Sequence, residues 1–198
     1  PGLLATVNHL ASTLPVGERI VIMHDDVECF EEMQPPSMDS GASLVSVSSL
    51  DSVFQRVFNA LDQHQCHLAG FYPVRNPGWM AAQPGLTTDL RFLYDPVIVM
   101  VNQGLQLSKE MAMKQDYERC ILYYNHSGKV LRFNHYVFLS KYNPTGGEGG
   151  VGHRDATADA EHTRTFERKY SAYIRNTKTH RDGSSSFVLK SNAERQRL

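Results

Sequence analysis

The apolar run Ile20-Val21-Ile22-Met23, preceded by Arg19, stops against His24, Asp25, Asp26 and Glu28, with only Val27 among them. A β-branched run bounded by polar residues predicts a buried strand that delivers acids to the edge of a sheet. Clustered carboxylates repel one another and lose solvation in a cleft, so such a group suits a hard cation that prefers oxygen ligands. Asp26-Val27-Glu28 is thus a D-x-E candidate for Mg²⁺ or Mn²⁺. A solvated turn at a strand end is the plainer alternative.

The chain has 198 residues, enough to bury a substantial core, and one domain over 1–198 is expected. Lys and Arg number 20 against 21 Asp and Glu, so no overall cationic field draws in nucleic acid and any such contact must be local. The three cysteines, Cys29, Cys66 and Cys120, form no C-x-x-C pair, which argues against a disulfide framework or a structural zinc knuckle and fits a reducing compartment. No apolar run reaches the ~18 residues of a membrane span, and the start has no signal-peptide pattern. A soluble, intracellular chain without a membrane partner is expected.

Apolar residues at Leu3, Leu4, Val7, Leu10, Ala11 and Leu14 predict an amphipathic helix stopped by Pro15. Glu31 to Gly41 reads as a loop beside the acids, and Ala42 to Val47 as a strand or an extended connector. Ser49 and Asp51 suit the cap of a helix from about Asp51 to Gln63, with Val53, Val57, Phe58 and Leu61 on one stripe. Leu68 to Tyr72 is strand-like and leads into the turn 73–78. Leu90 to Tyr94 and Val97 to Asn102 read as two short strands, and Asp95-Pro96 between them suggests a hairpin or bulge. The alternation of helices and strands predicts an α/β fold.

Tyr117, Cys120, Ile121 and Tyr124 fall at helical spacing, which sets Asp116 at a helix N-terminus. The unpaired amides and helix dipole there favour a carboxylate, so a lowered pKa is expected, and an ordinary N-cap is the alternative. Val130 to Leu139 alternates like one strand. Gly146-Gly147-Glu148-Gly149-Gly150-Val151-Gly152 carries five glycines in seven residues, a loop whose backbone can approach a ligand closely or a flexible linker. It has no G-x-G-x-x-G or P-loop arrangement following a strand, which sets aside a dinucleotide or ATP reading. The adjoining His153 could complete a metal shell, and Arg154 could neutralise a diphosphate. From about Arg164 the chain turns basic, with Arg168, Lys169, Arg175, Lys178, His180 and Arg181, while Phe166, Tyr170 and Tyr173 make an apolar stripe. That segment reads as a phosphate-facing surface or as the solvated face of a surface helix. Ser184 to Leu189 suggests a last strand, with frayed residues after it.

The acid-ended strand, Gln115-Asp116-Tyr117-Glu118-Arg119, Val130-Leu131-Arg132-Phe133-Asn134 and the Gly-Gly loop occur in an order that resembles the TET/JBP-associated glycosyltransferases, a GT-A-like family. The similarity spans roughly Asn8 to Gly150. It implies a mixed sheet flanked by helices and transfer of a hexose from a nucleotide sugar, UDP-glucose or another UDP-hexose, to a hydroxymethylated pyrimidine in DNA. It also implies a viral or related setting, in the cytoplasm or nucleus. Carried over by residue, Asp25 and Asp26, with Glu28 as a less central third member, would hold Mn²⁺ or Mg²⁺. Asp116 would be the catalytic base. Arg132, Asn134, Gly146, Gly147 and Arg154 would contact substrate, and His153 would add a metal ligand. This chain departs from the family in carrying Gln115 where a Glu is usual and Val7 where an Arg precedes the Asn. Only one helix precedes the acidic strand, so part of the N-terminal nucleotide-binding half is expected to be missing, through truncation, permutation or loss of catalysis. Two other readings are a non-catalytic GT-A-like interaction domain that binds nucleic acid or protein, and a metal-dependent hydrolase or oxygenase built on His24, Asp26 and His153.

Overall fold

A computed structural model describes residues 2–140, 156–181 and 184–195. The apolar run forms strand β1 (Arg19–Met23), preceded by helix α1 (Leu3–Thr13). There follow β2 (Val27–Gln34), β3 (Ser43–Ser46), α2 (Leu50–His64), β4 (Leu68–Phe71), α3 (Pro77–Ala81), β5 (Leu86–Thr87) and β6 (Val97–Val101). A 3-10 turn at Lys109–Lys114 then leads into α4 (Gln115–Ser127), β7 (Leu131–Phe133), β8 (Tyr136–Ser140), α5 (Ala156–Tyr170), β9 (Ile174–Thr179), β10 (Ser185–Leu189) and α6 (Asn192–Arg195).

The architecture is α/β, with a mixed sheet flanked by helices. Five strands lie in the order β1-β6-β4-β7-β5. β6 runs antiparallel to both β1 and β4, and β4 runs parallel to β7. β1, β4 and β7 therefore point the same way, and their carboxyl ends share one edge of the sheet. A second sheet, β3-β2-β8, is antiparallel, and β9 pairs with β10 as a separate ribbon.

Alternation along each strand divides the core in two. Ile20, Leu68, Ile98 and Met100 face Ile121 of α4, Phe166 of α5 and Phe187 of β10. Val53, Val57 and Leu61 of α2 pack with Ala69, Phe71, Val97, Val99, Leu131 and Phe133 on the opposite side, where Phe30 and Phe138 of the second sheet join them. The α2 cap is as expected: the Ser49 hydroxyl accepts from the Ser52 N–H. Gly128, at φ 73°, ends α4 with its N–H on the Tyr124 carbonyl, a left-handed stop that suits glycine.

Several sequence expectations are corrected. Glu31 to Gln34 belong to β2 and not to a loop; Glu31 is accommodated there by a two-pronged Arg75 contact at 2.5 and 2.8 Å. Leu90 to Tyr94 is not a strand but a covering segment that inserts Leu90 and Leu93 into the core. Consequently no hairpin forms at Asp95-Pro96, and β6 pairs with β1 and β4 instead. The stretch 130–139 is two strands, because a turn at Asn134-His135 carries the chain from the first sheet to the second. Pro77 starts a short helix that the turn reading missed, with Asn76 as its cap. The residues after Leu189 include α6.

Candidate functional site

α4 leads into β7, so its N-terminus lies at the edge where the strands β1, β4 and β7 end. The same edge carries the acidic turn after β1 and the Asp95-Pro96 segment before β6. In open α/β sheets the carboxyl ends of parallel strands are the usual place for a ligand. The His24 N–H donates to the Pro96 carbonyl at 2.9 Å, which ties the acidic turn to that segment. On the other side, the Gln115 side-chain amide donates to Asp95 Oδ2 at 3.2 Å, and Arg119 Nη1 donates to Asp95 Oδ1. Pro96 and Asp95 together thus link the end of β1 to the start of α4.

Asp116 is partly buried, and one carboxylate oxygen accepts from the Tyr117 N–H at 2.9 Å. Its pKa is raised from 3.8 to about 7, first by burial and second by the charge of Asp95. This reverses the lowering expected from the helix terminus: the amide contact acts downward, but lost hydration and a neighbouring carboxylate outweigh it. A carboxyl near neutrality suits proton transfer at physiological pH.

The cluster also leaves polar groups open. Arg119 is 2% exposed, yet its Nε and Nη2, the Gln115 carbonyl and His24 Nε2 have no partner among the described residues. Buried polar atoms are normally satisfied, so the open groups of Arg119 and Gln115 beside Asp95 are available to a polar ligand or water. Gln115 further lines a groove of about 700 Å³ between α1 and the 109–114 turn, together with Leu4, Asn8, Lys109 and Met113.

The other sequence-derived residues are distributed as follows. Asp25, Asp26 and Glu28 are exposed, the first two in the turn and Glu28 at an irregularity of β2 between Val27 and Cys29. Among the described residues no group of three or more His, Cys, Asp or Glu is arranged to hold a metal. Mg²⁺ nevertheless often takes only one or two carboxylates and completes its shell with phosphate and water, and the exposed Asp25-Asp26 pair fits that donor set. Arg132 and Asn134 touch each other, Arg132 Nε donating to Asn134 Oδ1 at 2.7 Å. Gly146, Gly147, His153 and Arg154 lie outside the described residues.

Sequence reasoning missed Asp95 and Arg119, whose pairing spans 24 positions. It also missed the anchoring of the basic C-terminal segment. Buried Glu118 accepts from the Ser108 N–H at 2.7 Å, the Tyr170 hydroxyl at 2.8 Å and Lys169 Nζ at 3.1 Å. Buried Lys114 donates to Asp159 at 2.8 Å and to the Ser185 carbonyl at 2.6 Å. α5 and β10 are thereby clamped to the base of α4, while Arg164, Arg168, Lys178 and Arg181 stay exposed. No helix among the described residues is long and apolar enough to cross a membrane. Comparison with protein-family models, curated proteins and solved structures finds no match to the chain.

Proposed function

We propose that the chain is a GT-A-like glycosyltransferase that moves a hexose from a nucleotide sugar, with a UDP-hexose the preferred donor, to an acceptor hydroxyl. The preferred acceptor is a hydroxymethylated pyrimidine in DNA, and the setting is the cytoplasm or nucleus. The observation that carries the reading is the meeting of the acidic turn and Asp116 at Asp95-Pro96, with the Asp116 carboxyl poised at about 7.

In this reading Asp116 accepts the acceptor hydroxyl's proton as that oxygen bonds to the anomeric carbon and the bond to the diphosphate breaks. Burial first and Asp95 second keep Asp116 a competent base by raising its pKa, and Arg119 holds Asp95 in place. Asp25 and Asp26, with Glu28 beside them, would hold Mn²⁺ or Mg²⁺, which when bound supplies neutralisation of the diphosphate leaving group. The test is transfer from UDP-glucose to hydroxymethylated DNA. Asp116→Asn should lower turnover by 10²-fold or more, as expected for loss of a general base, while UDP binding persists. Parental turnover in Asp116→Asn would remove Asp116 from the mechanism, and parental turnover in the Asp25→Ala/Asp26→Ala double variant would remove the metal acids.

A further inference from the structure

A second polar cluster lies at the far side of the same edge, on β5, β7 and the segment between β5 and β6. Thr87 stands directly opposite Arg132 in the β5–β7 pair, so the two side chains share a face. Arg132 is 9% exposed; it makes no ion pair within 4 Å among the described residues, although the charge of Asp89 acts on it from farther away. Its guanidinium is aimed by Asn134, whose amide is itself fixed by donating to the Pro84 carbonyl at 2.8 Å. This leaves Oδ1 for Arg132 Nε and both Nη groups of Arg132 without a hydrogen-bond partner among the described residues. The Tyr72 ring flanks the guanidinium at 5.1 Å.

The neighbouring cation is Arg91. It meets Asp89 only at 3.4 Å, and its buried Nε has no partner among the described residues. The Thr87 hydroxyl is likewise buried and unpartnered there. Burial first and Arg91 second lower the Arg132 pKa to about 10, so the two guanidinium groups repel each other. Arg91 is held by Asp89 through one Nη only, and Arg132 is oriented through its Nε by Asn134; the open guanidinium nitrogens beside an orphaned hydroxyl suit an oxyanion.

The geometry points to an oxyanion site, formed by Arg132, Arg91 and Thr87 and positioned by Asn134, that binds a phosphate group. β1 and β7 are three strand spacings apart, roughly 14 Å, so this phosphate is separate from any diphosphate held at Asp25-Asp26. The inference stands whether or not the chain transfers sugar.

Calorimetry with inorganic pyrophosphate at low salt tests it, on the parent, Arg91→Gln and Thr87→Val. The parent should bind saturably at one site. Arg91→Gln should weaken binding about 10-fold or more, the worth of a charged hydrogen bond, without losing thermal stability, because it removes a like charge from beside Arg132. Thr87→Val should weaken binding less. Competition then identifies the source: displacement by UDP assigns the site to a nucleotide, and displacement by a short single-stranded oligonucleotide assigns it to a nucleic-acid backbone. Absence of saturable binding to the parent, or unchanged affinity in Arg91→Gln, would overturn the site.

Discussion

Replacing Lys114 by Met should unfasten the C-terminal segment. Lys114 and Asp159 are both almost fully buried, with side chains 3% and 2% exposed, and meet at 2.8 Å. Asp159 also accepts from the Ser185 N–H at 2.9 Å and from Thr163 at 3.5 Å. Lys114→Met takes away the only cation bonded to that carboxylate among the described residues and leaves a buried charge with one good neutral donor. Removing one partner of a buried pair costs about 3–5 kcal/mol, a large share of the 5–15 kcal/mol that holds a typical domain together. With a urea slope of about 2–3 kcal/mol per molar, the unfolding midpoint should fall by about 1–2 M. Far-UV circular dichroism in urea at pH 7 reads this directly. The double variant Lys114→Met/Asp159→Leu removes both charges and should recover to within about 2 kcal/mol of the parent, since an apolar pair of similar size often replaces a buried ion pair at little cost. A single variant within about 1 kcal/mol of the parent, or a double variant as unstable as the sum of the singles, would refute the reasoning.

Asp116 gives a pH signature. Its folded pKa, about 7, lies above the usual 3.8, so between those values the native chain keeps a proton that the unfolded chain releases. Stability should fall as pH rises through that window and level off above it. Asp116→Asn should flatten the decline relative to the parent and gain on the order of 1 kcal/mol or more at pH 8; equal slopes in denaturation from pH 4 to 8 would contradict it. At Gly70 of β4 an added Cβ would meet Leu93 Cβ at 2.9 Å. Gly70→Ala should cost about 1–3 kcal/mol, seen as a lower Tm, and an unchanged Tm would show that the 89–93 segment gives way freely.

The elements that the sequence made legible are those whose apolar pattern is local. β1 is a continuous β-branched run, and α2 carries its own cap and stripe. The failures come from distant contacts. Leu90 and Leu93 look like strand residues, yet their role is to cover β4, and nothing local distinguishes the two. The lowered pKa expected for Asp116 followed from its own helix terminus, whereas the dominant influences are burial and Asp95, 21 positions away in the chain. Lys169 and Tyr170 read as part of a basic surface segment because Glu118, which binds both, lies 51 and 52 residues earlier. The candidate site was half legible for the same reason: the acidic turn and Asp116 stand out as motifs, but Asp95 and Arg119, which bring them to one edge, acquire meaning only once β6 is placed between β1 and β4.

The central claim is that this edge binds a nucleotide sugar with a divalent ion, and calorimetric titration of the chain with UDP-glucose, with and without Mn²⁺, tests it most directly. The account predicts saturable binding that depends on Mn²⁺ and disappears in Asp26→Ala, with the fold intact by circular dichroism. Absence of binding with and without the metal, or Mn²⁺-dependent binding that survives Asp26→Ala unchanged, would contradict it.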